Sequence, residues 1–425
     1  MARSRRLFQP LRTFLATETA GGVLLLAAAA VALVWANTPL FHAYESLWET
    51  HAGFSLGDYH LELNLHEWVN DGAMTLFFLV VGLEIKRELV QGELADRRRA
   101  TLPVMAALGG VVVPALIFAM FAAGTDVSKG WGIPVATDIA MAIGVLKLAG
   151  AGRVPDSLTV FLLALAIVDD LVTILILIVF YSGGVEFSWL ALAVASMVLM
   201  VVLKQVRVDR TAIYIGIGAA LWLFLHEAHV HATLAGVFCG LLAPTSPALQ
   251  FDEVDEGPAL GVAAVHEVVQ TREVARRSIS VVERLEHALH PWTSFVVLPV
   301  FALSNAGIRF ESELLSGLGG SALLPGIVLG AVLGKPIGIS AAVWLSQKVG
   351  IASMPTGVRW PQLISVAALG GIGFTVAIFI ANSSFDSELL VGEAKLAVLL
   401  AALVAAVLGS IAVRSTSRGP ADARH

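Results

Sequence analysis

The chain has 425 residues, 57% of them hydrophobic and only 14% charged, with a mean hydropathy of +0.81. Soluble domains carry about 25% charged residues, so the composition excludes an ordinary soluble domain, gives nucleic-acid binding no support, and describes an all-α polytopic membrane protein. The formal net charge of -6 says little about partners, because in such a chain the side of the membrane on which charges sit matters more than their sum. The single cysteine, Cys239, excludes an intramolecular disulfide and a cysteine metal cluster.

In chain order, the basic segment Met1 to Arg12 leads into an apolar run from Phe14 to Ala36. That run is too long for the hydrophobic region of a signal peptide and reads as a first membrane helix with a cytoplasmic N-terminus. Residues 45–63 follow as an outer hairpin: Ser55 to Leu63 alternates apolar and polar residues about a Gly57-Asp58 turn candidate. It is either a contact surface or a plain loop. Apolar runs of membrane-crossing length then continue at Leu65 to Ile85, Ala100 to Ala122, Gly130 to Leu148, Leu158 to Tyr181, Phe187 to Leu203, Ile213 to Leu225 and Ala232 to Ala243. After a cytoplasmic connection, residues 244–287, come Ala288 to Asn305, Leu323 to Leu345, Leu363 to Ala381 and Leu389 to Val413, for twelve predicted transmembrane helices. Within the connection a helical pattern with a charged face (Glu267, Arg272, Glu273, Arg276, Arg277, Glu283, Arg284) starts near Ala263. The twelve-span count puts Lys129, Arg309 and Lys395, the last near the outer end of the twelfth span, on the outer side and leaves Lys335 deep within a span; the other lysines and arginines fall in cytoplasmic segments or, for Lys147, at the cytoplasmic end of the fourth span. That is the positive-inside pattern with both termini cytoplasmic.

Two spans carry helix breakers at their middle. The fourth contains Pro134 followed by Thr137 and Asp138, and the eleventh contains Gly370, Gly371 and Gly373 followed by Thr375. Proline removes a backbone donor and glycine weakens helix, so both helices are expected to break. Similar registers after the two interruptions (Thr137 to Ile143 and Thr375 to Ile380) suggest inverted repeats formed by spans 3 to 5 and 10 to 12, with a site at their interface. Glycine and proline are also ordinary in membrane helices, which leaves a purely structural reading open.

The fifth span is apolar throughout except for Asp169 and Asp170. Each aspartate there costs roughly 2.5 to 3.5 kcal/mol to insert. With Asp138 and Lys335 they make four ionisable groups deep in spans, three acidic and one basic, a surplus that protons or a metal cation can neutralise. A hard cation prefers oxygen ligands, here carboxylates with Thr137 as a further candidate. The alternative is that the charges only pair with one another to fix helix packing.

The runs Val69 to Gly72, Phe77 to Glu88, Ile133 to Ala140, Ala164 to Leu171, Val230 to Gly236 and Gly334 to Gly338 together resemble the bacterial NhaA-type sodium/proton antiporters, a family known for inverted repeats. The resemblance implies a transporter, not an enzyme, that uses no cofactor and sits in the bacterial inner membrane. It implies electrogenic exchange of cytoplasmic Na+ or Li+ for external protons, activated at alkaline pH. By position it assigns Asp169 and Asp170 to ion and proton binding, with Asp170 the principal cation ligand and Asp169 the partner of Lys335. Thr137 and Asp138 match the broken-helix site and Lys335 the charge-compensating lysine. The hairpin lies where the family makes a homodimer contact, with lipid around the rest.

The same resemblance places a pH-responsive cluster at Glu84, Arg87 and Glu88 with Glu283, Glu286, His287 and His290, and links His231 to the response. From the residues alone, charges at helix ends are equally solvated anchors, and His231 is equally an interfacial hydrogen-bonded histidine. The segment His226 to His231 lacks the spacing of a zinc protease helix, because Val230 stands where the second histidine belongs. Two other readings are a cation channel and an intramembrane aspartyl protease. The protease needs two carboxylates facing across a water, which adjacent residues cannot provide, although Asp138 with Asp169 could.

Overall fold

The computed structural model describes residues 9–56, 59–150, 154–206, 208, 210–243, 281–312, 317 and 320–417. Most of them are helical. In chain order the helices are α1 (Gln9–Ala36), α2 (Phe41–Trp48), α3 (Met74–Gln91), α4 (Arg97–Ala122), α5 (Ile139–Gly150), α6 (Asp156–Phe180), α7 (Phe187–Gln205) and α8 (Thr211–Glu227). They continue as α9 (Leu234–Leu242), α10 (Val281–Trp292), α11 (Leu298–Asn305), α12 (Leu323–Leu329), α13 (Lys335–Val349), α14 (Trp360–Leu369), α15 (Thr375–Ser384) and α16 (Glu388–Ser417). Among the described residues five helices are long and apolar enough to cross a membrane, or up to seven when two bent pairs are counted. Long helices suit that setting because every backbone polar group is satisfied within the segment. Their outer faces carry exposed apolar side chains such as Met120, Val179, Phe187 and Leu403, the surface expected against lipid.

The fourth and eleventh predicted spans are both broken. A 3₁₀ segment, Ser128–Val135, is bent by 43° from α5 across residues 136–138. Residues 370–374 interrupt α14 and α15. The sequence did not anticipate three π-helical stretches, Trp68–Ala73, Thr293–Val297 and Gly330–Gly334. Two of them immediately precede Pro299 and Pro336, whose missing N–H groups leave a carbonyl one turn back without its usual donor.

The hairpin is present as β1 (His51–Leu56) and β2 (Tyr59–Asn64), antiparallel, with His51 opposite Asn64 and Leu56 opposite Tyr59. It begins later than the expected residue 45, because 41–48 form α2; the Gly57-Asp58 turn lies outside the described residues. Leu61 and Leu63 are buried while His60 and Glu62 face out, the period-2 pattern of a half-buried strand. Asn64 ends β2 and caps the next helical turn: its side chain accepts from the Glu67 N–H at 2.7 Å, and the Glu67 carboxylate accepts from the Asn64 N–H at 2.8 Å. The charged-face helix expected from Ala263 lies outside the described residues, as does most of the 244–287 connection.

Helix α13 packs against α4 with almost no side chain between them. A Cβ added at Gly109 would fall on the Gly338 carbonyl oxygen, and one added at Gly338 would fall on that of Gly109. Helix α6 is covered by α3, α4, α5 and α14, so its middle is sealed from lipid. Gly109→Val is therefore expected to destabilise the fold by about 1–3 kcal/mol, the usual range for overpacking. Gly183→Ala, whose added Cβ meets nothing within 4 Å, serves as the silent control. Thermal unfolding in detergent, followed by tryptophan fluorescence, measures the difference.

Candidate functional site

The two breaks cross each other, and each supplies what the other's backbone lacks. The Asp138 N–H donates to the Ile372 carbonyl at 2.7 Å, and the Thr137 hydroxyl donates to the Gly370 carbonyl at 2.8 Å. In return the Asp138 carboxylate accepts from the Thr375 N–H at 3.2 Å and the Thr375 hydroxyl at 2.9 Å. Its other oxygen accepts from the Met141 N–H at 3.0 Å. One carboxylate thus caps the start of both α5 and α15, where unsatisfied amides and the helix dipoles favour negative charge. The approach requires glycine at 373, since a Cβ there would fall on the Ala136 carbonyl oxygen.

Beside the crossing, Lys335 Nζ lies 2.7 Å from Asp169 Oδ2. The two residues are 1% and 2% exposed. Asp170, next along α6, is 7% exposed, and no hydrogen bond or ion pair joins its carboxylate to another described residue. A small cavity of about 10 Å3, room for roughly one water molecule, is lined by Thr137, Asp169, Lys335 and Gly370 with apolar residues of α4 and α6. Thr137, Asp169 and Lys335 are thus brought together around one cavity, with Asp138 next to Thr137 in the chain and Asp170 turned about 100° from Asp169 on the same helix. Among the described residues, no three His, Cys, Asp or Glu side chains gather as a metal centre would require.

Residues 12–413 match the family model for Na+/H+ antiporter 1. The chain belongs to the Na+/H+ antiporter 1 family. It is similar to the Na(+)/H(+) antiporter NhaA 2 of Sorangium cellulosum, at 43% identity over 99% of this chain and 92% of that one. It is 42% identical to the Na(+)/H(+) antiporter NhaA of a Janthinobacterium species, over 96% of this chain and 93% of the relative. Among solved structures, the sodium proton antiporter MjNhaP1 of Methanocaldococcus jannaschii superposes with a TM-score of 0.50 at 12% identity, covering 97% and 98% of the two chains, a likeness of fold alone. Members of this antiporter family are membrane transporters without a resident cofactor, so the protease reading ends here. The geometry agrees: Asp138 is engaged by amides and a hydroxyl, and Asp169 by Lys335, so they do not share a water as a proteolytic dyad must.

The remaining predicted residues of this antiporter-family chain divide into two groups. Arg87 of α3 is paired with Glu286 of α10, with Glu286 buried and Arg87 half-buried. Glu283 and His290 lie on α10 with it, and Glu84 stands one turn before Glu88 on α3. His287 is exposed, and Glu88 accepts from the Glu93 N–H at 2.7 Å, closing the turn after α3. Burial pushes the Glu286 carboxyl above the ordinary glutamate range, against the opposing pull of Arg87, His287 and His290. His231 stands apart from this cluster. Its Nε2 lies 3.1 Å from the Tyr181 carbonyl, its ring packs near Phe379, and burial lowers its proton affinity.

Two features escaped the sequence reading. Thr375 appeared there only as the start of a repeated register, yet it is the main side-chain donor to Asp138. A buried amide network joins three segments: Asn382 on α15 donates to Asn305 on α11 at 2.7 Å, and Asn305 donates to Asn70 at 2.9 Å and lies 3.1 Å from His66. Polar residues scattered over three distant spans leave no spacing signal. Thr375→Val, which removes one donor from a buried carboxylate, is expected to cost about 1.5–3 kcal/mol, the range for a hydrogen bond to a charged group. Thr375→Ser should recover most of it, both read as thermal midpoints in detergent.

Proposed function

We propose that this chain is an electrogenic antiporter that moves cytoplasmic Na+ or Li+ outward in exchange for more than one proton, active at alkaline pH and serving pH and sodium homeostasis. The reading takes twelve spans with both termini cytoplasmic, in a bacterial inner membrane, with spans 3 to 5 and 10 to 12 as inverted repeats. The observation that carries it is the buried Lys335–Asp169 pair beside an Asp170 carboxylate that no described side chain neutralises.

The charges at the crossing divide the work. Asp138 is committed to the helix starts, and Lys335 compensates Asp169. Asp170 then needs a positive partner in so apolar a place, and either a proton or a sodium ion serves. The two compete for the same oxygens, which couples sodium release to proton uptake. When the cation also draws on Asp169, Lys335 loses its counter-charge. Asp169 and Asp170 together offer two carboxylates for one cation, which is the basis of the electrogenic ratio. Thr137 lines the cavity and spends its hydroxyl proton on Gly370, which leaves the oxygen's lone pairs for a cation shell.

The pH response is assigned to the Arg87–Glu286 contact. A carboxyl raised by burial stabilises the fold below the ordinary glutamate range, and that contribution is lost as pH rises through the raised value. Rising pH therefore loosens α10 from α3, the direction required for alkaline activation. Homodimerisation through the β1–β2 hairpin completes the reading, supported by the unpaired edges this two-stranded sheet offers.

Sodium added to everted vesicles is expected to dissipate an imposed pH gradient, and Asp170→Asn to abolish that effect in protein that still inserts. Retained exchange in the variant would remove Asp170 from the site. Apparent sodium affinity should weaken as pH is lowered; an affinity indifferent to pH would contradict the shared-site mechanism. Glu286→Gln, which holds the neutral form, is expected to flatten the alkaline rise in initial rate, measured in the same vesicles across pH.

A further inference from the structure

Thr173 lies on α6 three residues after Asp170 and four after Asp169. At about 100° per residue, that spacing sets it between the directions of the two carboxylates, one turn further along. Helical side chains lean back toward the N-terminus, so its hydroxyl leans toward the pair. The residue is 1% exposed, and Thr173 Oγ1 has no hydrogen-bond partner among the described residues.

Thr173 is one of five buried hydroxyls without a partner among the described residues. A helical hydroxyl ordinarily donates to the carbonyl four residues back. Ser196, Ser346, Ser365 and Ser384 do so, to Leu192, Ala342, Pro361 and Ile380. Thr173 has the Asp169 carbonyl at the same spacing and does not use it. Ser182, Ser304, Ser340 and Thr233 also lack partners, but none lies on α6. One turn before Thr173, Asp169 Oδ1 is a second buried oxygen without a hydrogen bond. A buried polar oxygen without a partner is unfavourable, and a hard cation held among oxygens would relieve both at once.

We propose that Thr173 is a further oxygen ligand for the transported cation, adding to Asp170 and Asp169 and tuning the preference between sodium and lithium. The inference rests on the antiporter reading above. A neutral hydroxyl at this place changes the number of oxygens offered without changing the charge, so it acts on affinity and on ion size preference, not on proton coupling.

The test compares the full-length protein with Thr173→Val, which keeps the shape, and Thr173→Ser, which keeps the hydroxyl. Equilibrium binding of radioactive sodium to protein in detergent is measured beside sodium- and lithium-driven proton exchange in proteoliposomes. The Val variant is expected to bind sodium three- to tenfold more weakly, on the order of one lost hydrogen-bond-strength contact. Its apparent KM should rise by the same factor and its sodium-to-lithium ratio should change, while Thr173→Ser stays near the parent. Unchanged affinity for both cations in folded Val variant, or equal impairment of the Val and Ser variants, would overturn the proposal. Should the Val variant not fold, the contrast between Thr173→Ala and Thr173→Ser decides the same question. If the parent binds sodium but moves no protons, the antiport reading fails, and the binding contrast still decides the role of Thr173.

Discussion

The ion pair between Lys335 and Asp169 sets the terms for the centre of this protein. Taking both charges out of water costs several kcal/mol per ion, and only close, well-directed contact offsets it. Helix α13 must therefore bring the lysine to within 2.7 Å of α6 across a densely packed interior. The glycines of α4 make that reach possible. Gly109 lets the backbones of α4 and α13 touch, and a Cβ at Gly110 would press on Ile339, the side chain packed beside the Lys335 stem at that point. A packing feature written in small residues thus positions the charge on which the site depends.

The crossing of the two broken segments solves a second problem with the same economy of parts. A break inside an apolar layer exposes amides and carbonyls with no water to receive them. Here the amides of α5 and α15 converge on Asp138, while the carbonyls of Gly370 and Ile372 receive Thr137 and the Asp138 N–H. Any rearrangement that separates the segments must break these bonds together, so they are constrained to shift as a unit. The amide network through Asn382, Asn305 and Asn70 ties α15 to the segments around α3 and α11, and it has to part if α15 moves against them.

Much of this is legible in the sequence. Hydropathy marked the apolar stretches that became helices, the breakers at Pro134 and Gly370 to Gly373 marked the two interruptions, and buried charge picked out Asp138, Asp169, Asp170 and Lys335. These signals are local: each depends on a residue type in an unsuitable environment. The π-helical stretches, the Thr375 contact to Asp138 and the asparagine network were not legible, because each depends on which distant segment lies alongside. Thr173 was hidden for a related reason. Threonine is unremarkable in an apolar helix, and only the missing back-bond together with its place one turn beyond Asp169 and Asp170 sets this one apart.

Three aspartates of identical chemistry are made unlike by their neighbours, and in the proposed mechanism that difference is what allows exchange. Asp138 is satisfied by amides and a hydroxyl, so its oxygens are already committed to the two helix starts. Asp169 is satisfied by a lysine, an arrangement that a competing cation can undo. Asp170 is satisfied by nothing that the described side chains provide, so it is the carboxylate at which a mobile positive charge is most strongly required. A site with all three paired would hold its charges and bind no cargo, and one with all three free would hold cargo too tightly to release it. One fixed, one conditional and one open carboxylate, within a few residues of two crossing breaks, gives binding strong enough to enter and a built-in competitor to reverse it.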